Sequence, residues 1–380
     1  MKILIAPDSF KGSMTSIEAS ETIFNIITTT YPEAIIKKLP LSDGGEGLVE
    51  CLVKATGGKK LTEKVTGPLG DPVNASWGIL GDTETAVIEM ASASGLLLLP
   101  ENKRDPRYTT TYGTGELIKA ALDEGCAKII LGLGGSATND GGSGMVQALG
   151  AKLLNQNGQP IPYGGIGLKE LDRIDINNCD PRLGKIELKV ACDVDNPLTG
   201  ERGASYVFGP QKGATPEVAE QLDEALSHYA RIVKRDLRCD VVDMPGAGAA
   251  GGVGASVVAF LNGKLTSGIN LVLETIGLEK ELKDCDLVIS GEGKFDAQSA
   301  YGKVPVGVAR LAKRFNVPVI VIAGSVYRIP ENLHDEGVTA CFSIINEPMT
   351  LETAMTRCKE LLELTTSQLL RLYTATEQLR

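Results

Sequence analysis

Aromatic residues make up only 4% of the 380 residues, and the two histidines, His228 and His334, stand far apart. Aromatic-lined pockets, haem ligation and histidine-built zinc sites are therefore not expected. The eight cysteines form no Cys-x-x-Cys pair, so the spacings of zinc ribbons and dithiol centres are missing and no disulfide framework is expected. There is no run of basic residues, and the formal net charge is −10. That balance argues against nucleic acid or a membrane surface as partner, and an anionic small molecule would need a local positive site. No apolar stretch reaches the ~18 residues of a membrane span, and the opening MKILIAPDSF has too short an apolar run for a signal peptide. A cytoplasmic protein is the expectation.

Glycine is what the chain has in quantity, 44 residues. The length suits two domains with full cores. Residues 128–149 show what the glycines are for. Ile129, Ile130, Leu131 and Leu133 form a buried-strand run, a polar glycine loop follows, and Met145, Val146, Ala148 and Leu149 resume apolar periodicity. Glycines let a backbone approach a ligand closely, and N–H groups at a helix start favour an anion, so the loop is a candidate phosphate site. The named phosphate motifs do not fit it. Gly132, Gly134 and Ala137 have the dinucleotide spacing, yet no Asp or Glu stands about 20 residues on to hold a ribose. No Walker lysine completes the pattern. The competing reading is a tight turn in which Ser136, Thr138 and Asn139 bond their own backbone.

The same arrangement recurs along the chain. Residues 2–6 read as a parallel strand delivering Asp8, Ser9 and Lys11, before a helix with a Thr15–Glu18 capping box and Ala19, Ile23, Ile26 and Ile27 on its buried face. A strand over 35–39 leads to Asp43 and Glu46. These have capping-box spacing too, so helix capping and ligand binding compete for them. Residues 60–65, 73–80 and 85–91 read as an antiparallel meander at the edge of the first domain, and 100–106 as a linker. A strand over 186–192 ends at Asp193 and Asp195, where general bases and magnesium ligands stand in α/β enzymes. Thr215 caps a strong helix. Residues 245–256 are a linker, a closely packed helix start or a ligand loop, and the lack of polar residues before Ser256 disfavours the linker. Strands over 286–290, 317–322 and 341–345, with helices over 306–315 and 351–372, continue the alternation; 151–185 carry no assignable role. Ligands of open α/β sheets bind beyond the carboxyl ends of strands, so loops at 7–13, 43–47, 134–144, 193–203 and 291–299 imply one large polar site.

Those loops read APDSFKGS (6–13), DGGEG (43–47), GGSATNDGG (134–142), ACDVDNPLTG with GPQKGA (191–214), GAGAAGG (246–252) and GEGKFDAQS followed by GK (291–303). With them the chain resembles the bacterial type-one glycerate kinase family over most of its length. It departs from that pattern at Lys294, where arginine is expected, at Met14-Thr15, and at Ser299-Ala300-Tyr301, a stretch that usually holds threonine. The first departure puts a guanidinium-type role at 294 in question.

The resemblance implies transfer of a phosphoryl group from ATP, with magnesium, to a hydroxyl of D-glycerate, 2-phosphoglycerate being favoured over 3-phosphoglycerate as product. It also implies an α/β protein of two domains: a Rossmann-like parallel-sheet domain from residues 1–100 and 286–380, and an inserted α/β domain over 101–285 carrying the central glycine loop. On that reading ATP phosphates rest on Gly134, Gly135, Ser136, Thr138, Asn139, Asp140 and Gly141, with Gly248 and Gly251 lining the nucleotide side. Asp193 is the general base or a magnesium ligand. Lys11 and Lys294 hold the glycerate carboxylate or the transferring phosphoryl group, Asp8 and Ser9 contact substrate, and Asp43 and Asp296 bind substrate hydroxyls or metal. Two other classes stay open: a dinucleotide-dependent oxidoreductase on the Gly132 turn, and a non-enzymatic hydroxy-acid or nucleotide sensor.

Overall fold

The structure, a computed structural model, describes residues 1–296, 303–327 and 332–377. The end of the 291–299 loop, and with it Ser299, Ala300, Tyr301 and Gly302, lies outside the described residues. In chain order the strands are β1 (Lys2–Ile5), β2 (Ile35–Lys38), β3 (Lys59–Thr66), β4 (Pro72–Ile79), β5 (Thr85–Glu89), β6 (Lys128–Gly132), β7 (Lys152–Leu154), β8 (Arg173–Asp175), β9 (Glu187–Ala191), β10 (Lys264–Thr266), β11 (Leu287–Phe295), β12 (Val319–Val326) and β13 (Val338–Ser343). The chain divides into two compact units, residues 1–43 with 269–380, and residues 44–268.

The first unit is built on a parallel sheet of order β13-β12-β11-β1-β2. Its inner strands are apolar on both faces, as a sheet covered on both sides requires: Ile3, Leu4 and Ile5 of β1 and Leu287, Val288 and Ile289 of β11 are wholly buried. Helix Ser16–Thr30 starts with the Thr15–Glu18 capping box in place, both reciprocal hydrogen bonds being formed. Its Ala19, Ile23 and Ile27 pack with Leu361, Leu362, Leu369 and Leu370 of helix Cys358–Glu377 over one face of the sheet. Counted within this unit, the strand order is 2-1-3-4-5, a doubly wound arrangement that changes direction between β1 and β11. Chain connections leave that point on opposite faces, which opens a crevice at the carboxyl end.

The second unit carries a mixed sheet of order β10-β9-β6-β5-β4-β3, antiparallel from β3 to β5 and parallel from β5 to β10. Trp77, Ile88, Ile129 and Leu131 of this sheet pack with Leu117, Ile118, Leu226 and Tyr229 of its helices. The expected meander is present, but it edges this sheet: β5 pairs in parallel with β6, which ties residues 44–100 to the 101–268 segment. The division therefore falls at 43/44 and 268/269, away from the expected 100/101 and 285/286. Residues 100–106, read as a linker, hold a single 3-10 turn, Glu101–Lys103, within the second unit. Among the described residues no helix is long and apolar enough to cross a membrane.

Candidate active site at the carboxyl edge of the first sheet

A pocket of about 540 Å³ opens where β1 and β11 change direction. Loops leaving every strand of the first sheet supply its lining: Asp8 to Lys11 after β1, Asp43 beyond β2, Glu292 to Lys294 at the end of β11, Gly324 and Ser325 of β12, and Ile344 beyond β13. This is where an open α/β sheet binds its ligand, and the volume suits a molecule larger than a three-carbon acid. The loop after β1 closes tightly against β11: a Cβ on Gly293 would lie 3.3 Å from the Lys11 backbone nitrogen.

Charge in the pocket is arranged in pairs, with one exception. Lys11 Nζ lies 3.4 Å from Asp43, Lys294 Nζ lies 2.8 Å from Asp296, and Lys303 Nζ lies 2.9 Å from Glu292 while also donating to the Lys294 carbonyl. The Asp43 charge raises the affinity of Lys11 for its proton, and the hydrogen bond to Asp296 does the same for Lys294. Asp8 is the exception. It is 5% exposed, its Oδ1 accepts the Ser9 N–H at 2.6 Å, and no other hydrogen bond or ion pair reaches its carboxylate among the described residues. Burial first, and then the neighbouring Asp43 charge, push its pKa up to about 7.

The glycine loop of the second unit is organised differently from the phosphate site expected of it. Asp140 is completely buried, and its carboxylate accepts the N–H groups of Thr111, Gly142 and Gly144 and the Thr111 hydroxyl, at 2.8–3.3 Å. The place offered to a phosphate, at the start of helix Ser143–Ala148, is filled by the loop's own carboxylate. Ser136, Thr138 and Asn139 are buried as well, and only Gly134 and Gly135 of the loop are exposed. Beneath them Lys212, 2% exposed, donates from Nζ to Ser136 Oγ at 2.9 Å and to the Thr138 carbonyl at 2.6 Å. Desolvation lowers its pKa to about 7. Segment 246–252 is closely packed: Gly141 N–H donates to the Gly251 carbonyl at 2.9 Å, and a Cβ on Gly251 would fall 2.0 Å from the Thr138 carbonyl oxygen. Gly248 likewise sits against the Pro197 carbonyl, at 2.3 Å from where its Cβ would be.

The structure thus gathers Asp8, Ser9, Lys11, Asp43 and Lys294 around one pocket, with Asp296 paired to Lys294. Asp193 lies in the second unit past β9, exposed, with Oδ1 accepting the Gly268 N–H at 2.9 Å. The helix does not start at Asp43, where the capping-box spacing would put it. Helix Leu48–Thr56 begins at Gly47 with no side-chain cap, and Glu89 accepts the Val49 N–H instead, at 2.8 Å. Sequence reasoning missed Glu292, Lys303 and Lys212. Glu292 was within reach of the rule that singled out Asp193, but the strand was read as ending at Ser290, while β11 runs on to Phe295. Lys303 completes no Walker pattern, yet it stands at the N-cap of helix Val304–Lys313. No hydropathy signal distinguishes Lys212 from a solvated lysine.

A doubly wound sheet that presents paired lysines and carboxylates at its switch point defines a phosphotransferase-like α/β site. The comparisons supply the family. The glycerate kinase family model matches residues 3–374, and the chain belongs to that family, phosphotransferases with an alcohol group as acceptor. It is 52% identical to the glycerate kinase of Halalkalibacterium halodurans over 95% of both chains, and 53% identical to the glycerate 2-kinase of Escherichia coli over 93% of both. A crystal structure from Salmonella typhimurium LT2, assigned as glycerate kinase 2, matches with a TM-score of 0.90 and 51% identity, covering 100% of this chain and 99% of that one.

Proposed function

We propose that the protein phosphorylates D-glycerate with ATP in the cytoplasm, at the 2-hydroxyl, and that the first-unit pocket holds the acceptor and the phosphoryl group in transfer. The three lysines that line one pocket with Asp8 support this reading. Phosphoryl transfer needs positioning and charge neutralisation more than covalent chemistry, and Lys11, Lys294 and Lys303 are placed to meet a carboxylate and phosphate oxygens. Lys303 adds the N-terminal end of helix Val304–Lys313 to that positive side. The name of the Escherichia coli relative supports the 2-position. Gly134 and Gly135 are the part of the glycine loop open to a nucleotide.

The donors present do not build a metal centre of the protein's own. Among the described residues no three His, Cys, Asp or Glu side chains gather to hold a metal, and Asp43 and Glu292 each already face a lysine. Magnesium fits as the companion of ATP, neutralising its phosphate oxygens, as is usual for this ion. The deciding experiment is ADP release from ATP with magnesium and D-glycerate, with the product followed by phosphorus NMR. The expected signal is a doublet, split by the single proton on C2. A triplet would move the phosphate to C3, and no ADP from folded protein would remove the kinase reading.

A further inference from the structure

We infer that Asp8 is the general base of the reaction, the group that takes the proton from the acceptor hydroxyl as its oxygen attacks the γ-phosphorus of ATP; this rests on the reading that the first-unit pocket binds glycerate. Nothing in the sequence marked Asp8 for that task over Asp193. The geometry does. A base must sit inside the pocket, keep an oxygen for the substrate, and not be held in its charged form by a cation. Among the described residues around this pocket, only the Asp8 carboxylate meets all three conditions. Asp43 faces Lys11 and Glu292 faces Lys303, so each is held in its charged form by a cation. Asp296 faces Lys294. Asp8 has one oxygen on the Ser9 N–H, and its other oxygen is met by no residue among those described.

The charged groups that act on Asp8 come from three directions. Asp43 beyond β2 and Glu292 on β11 repel its negative charge, while Lys11, further along the same loop and paired to Asp43, attracts it weakly. Lys294 and Lys303 are occupied by Asp296 and Glu292, and Cys358 is the remaining titratable group in the wall. With burial added, the carboxyl holds its proton up to about pH 7 and is a stronger base than a free carboxylate. Two acids held by cations beside one that is not is the division of labour expected when like groups share a site but only one exchanges a proton.

The step balances simply. The hydroxyl oxygen forms a bond to the γ-phosphorus, and the bond from that phosphorus to the β–γ bridging oxygen breaks, its electron pair leaving with ADP. The hydroxyl proton passes to Asp8 and then to solvent. Lysines around the pocket hold the anionic groups in line, and Asp8 removes the charge that would otherwise build on the attacking oxygen.

The test is Asp8→Asn and Asp193→Asn beside the wild type, with kcat and both KM values measured from pH 5.5 to 9. Wild-type kcat/KM for glycerate should fall about tenfold per pH unit below a midpoint near 7. Asp8→Asn should lose at least about a hundredfold in kcat, leave the KM for ATP within about threefold, and no longer show the acidic limb. Asp193→Asn should keep the limb. A limb retained in Asp8→Asn, or lost in Asp193→Asn, overturns the assignment. A carbon-13 titration of the Asp8 carboxyl in the wild type reads the same group without turnover and does not depend on the variant folding: a midpoint near 7 is expected, and an ordinary carboxylate midpoint overturns the inference. Should the carboxyl titrate near 7 while the wild type makes no ADP from glycerate, the acceptor reading has failed, and the proton-transfer step falls with it.

Discussion

Asp8 and Lys212 each carry an ionisable group into surroundings that disfavour its charge, one in each unit, and desolvation moves them from opposite sides to about the same pKa, near 7. For Asp8 this has a consequence for stability that can be signed. Its folded pKa lies above the unfolded value, so between pH 4 and 7 the folded chain binds more protons, and stability falls as pH rises through that window. Asp8→Asn, which cannot ionise, should therefore be more stable than the wild type at pH 8, by an amount on the order of 2 kcal/mol, with the advantage vanishing below about pH 4. Urea melts at the two pH values check it; equal stability at pH 8 would mean the carboxylate is solvated. A lysine beside Asp43 could be suspected from the loop after a first strand. That Asp8 would be left without a cation could not, because its neighbours come from residues 43 and 292, and only the sheet brings them together.

Between residue and fold stands the glycine loop, 134–142. Its pattern was legible as strand, loop and helix, but the turn reading does not hold for the residues it named: Ser136 Oγ accepts from Lys212 Nζ, Asn139 Nδ2 donates to Ser205 Oγ, and Asp140 is the side chain that serves the loop's own backbone. The residue whose part was not legible is Asp140. In sequence it is one more polar loop residue; in space it occupies the anion position itself. The close fit of the 246–252 segment gives an element-scale test. Gly251 and Gly57 share a φ of 69°, but a Cβ at Gly57 would meet nothing within 4 Å, while at Gly251 it would meet the Thr138 carbonyl at 2.0 Å. Gly57→Ala should cost about 1 kcal/mol from the backbone alone, and Gly251→Ala at least about 2 kcal/mol more, together with a shifted loop. Denaturant midpoints of the two variants measure the difference, and equal values would mean the two segments are not locked.

At the scale of the molecule, fold class and the alternation of strands and helices were readable because buried parallel strands leave apolar runs, as at Ile3 to Ile5 and Ile129 to Leu131. The division between units was not, since β3 to β5 present the same alternation whichever sheet they extend. Their partner is β6, some 40 residues beyond β5 in the chain, and no local pattern names it. Because residues 44–268 hold their whole sheet and core, that segment expressed alone should fold cooperatively, with native-like circular dichroism and a sharp thermal transition. A broad, non-cooperative melt would show that it depends on the flanking residues.

The same discontinuity sets an order of birth. β1 leaves the ribosome well ahead of its neighbour β11, which begins only at Leu287. At ordinary elongation rates that is a wait on the order of 15 to 60 s, during which Ile3, Leu4 and Ile5 have no central partner while the intervening unit can complete itself. The pocket around Asp8 thus waits for β11, and a chain interrupted between β10 and β11 carries the glycine loop but not the charged crevice. Quality control that captures exposed apolar strands would meet this protein at β1, and release it only when the residues from Leu287 on arrive.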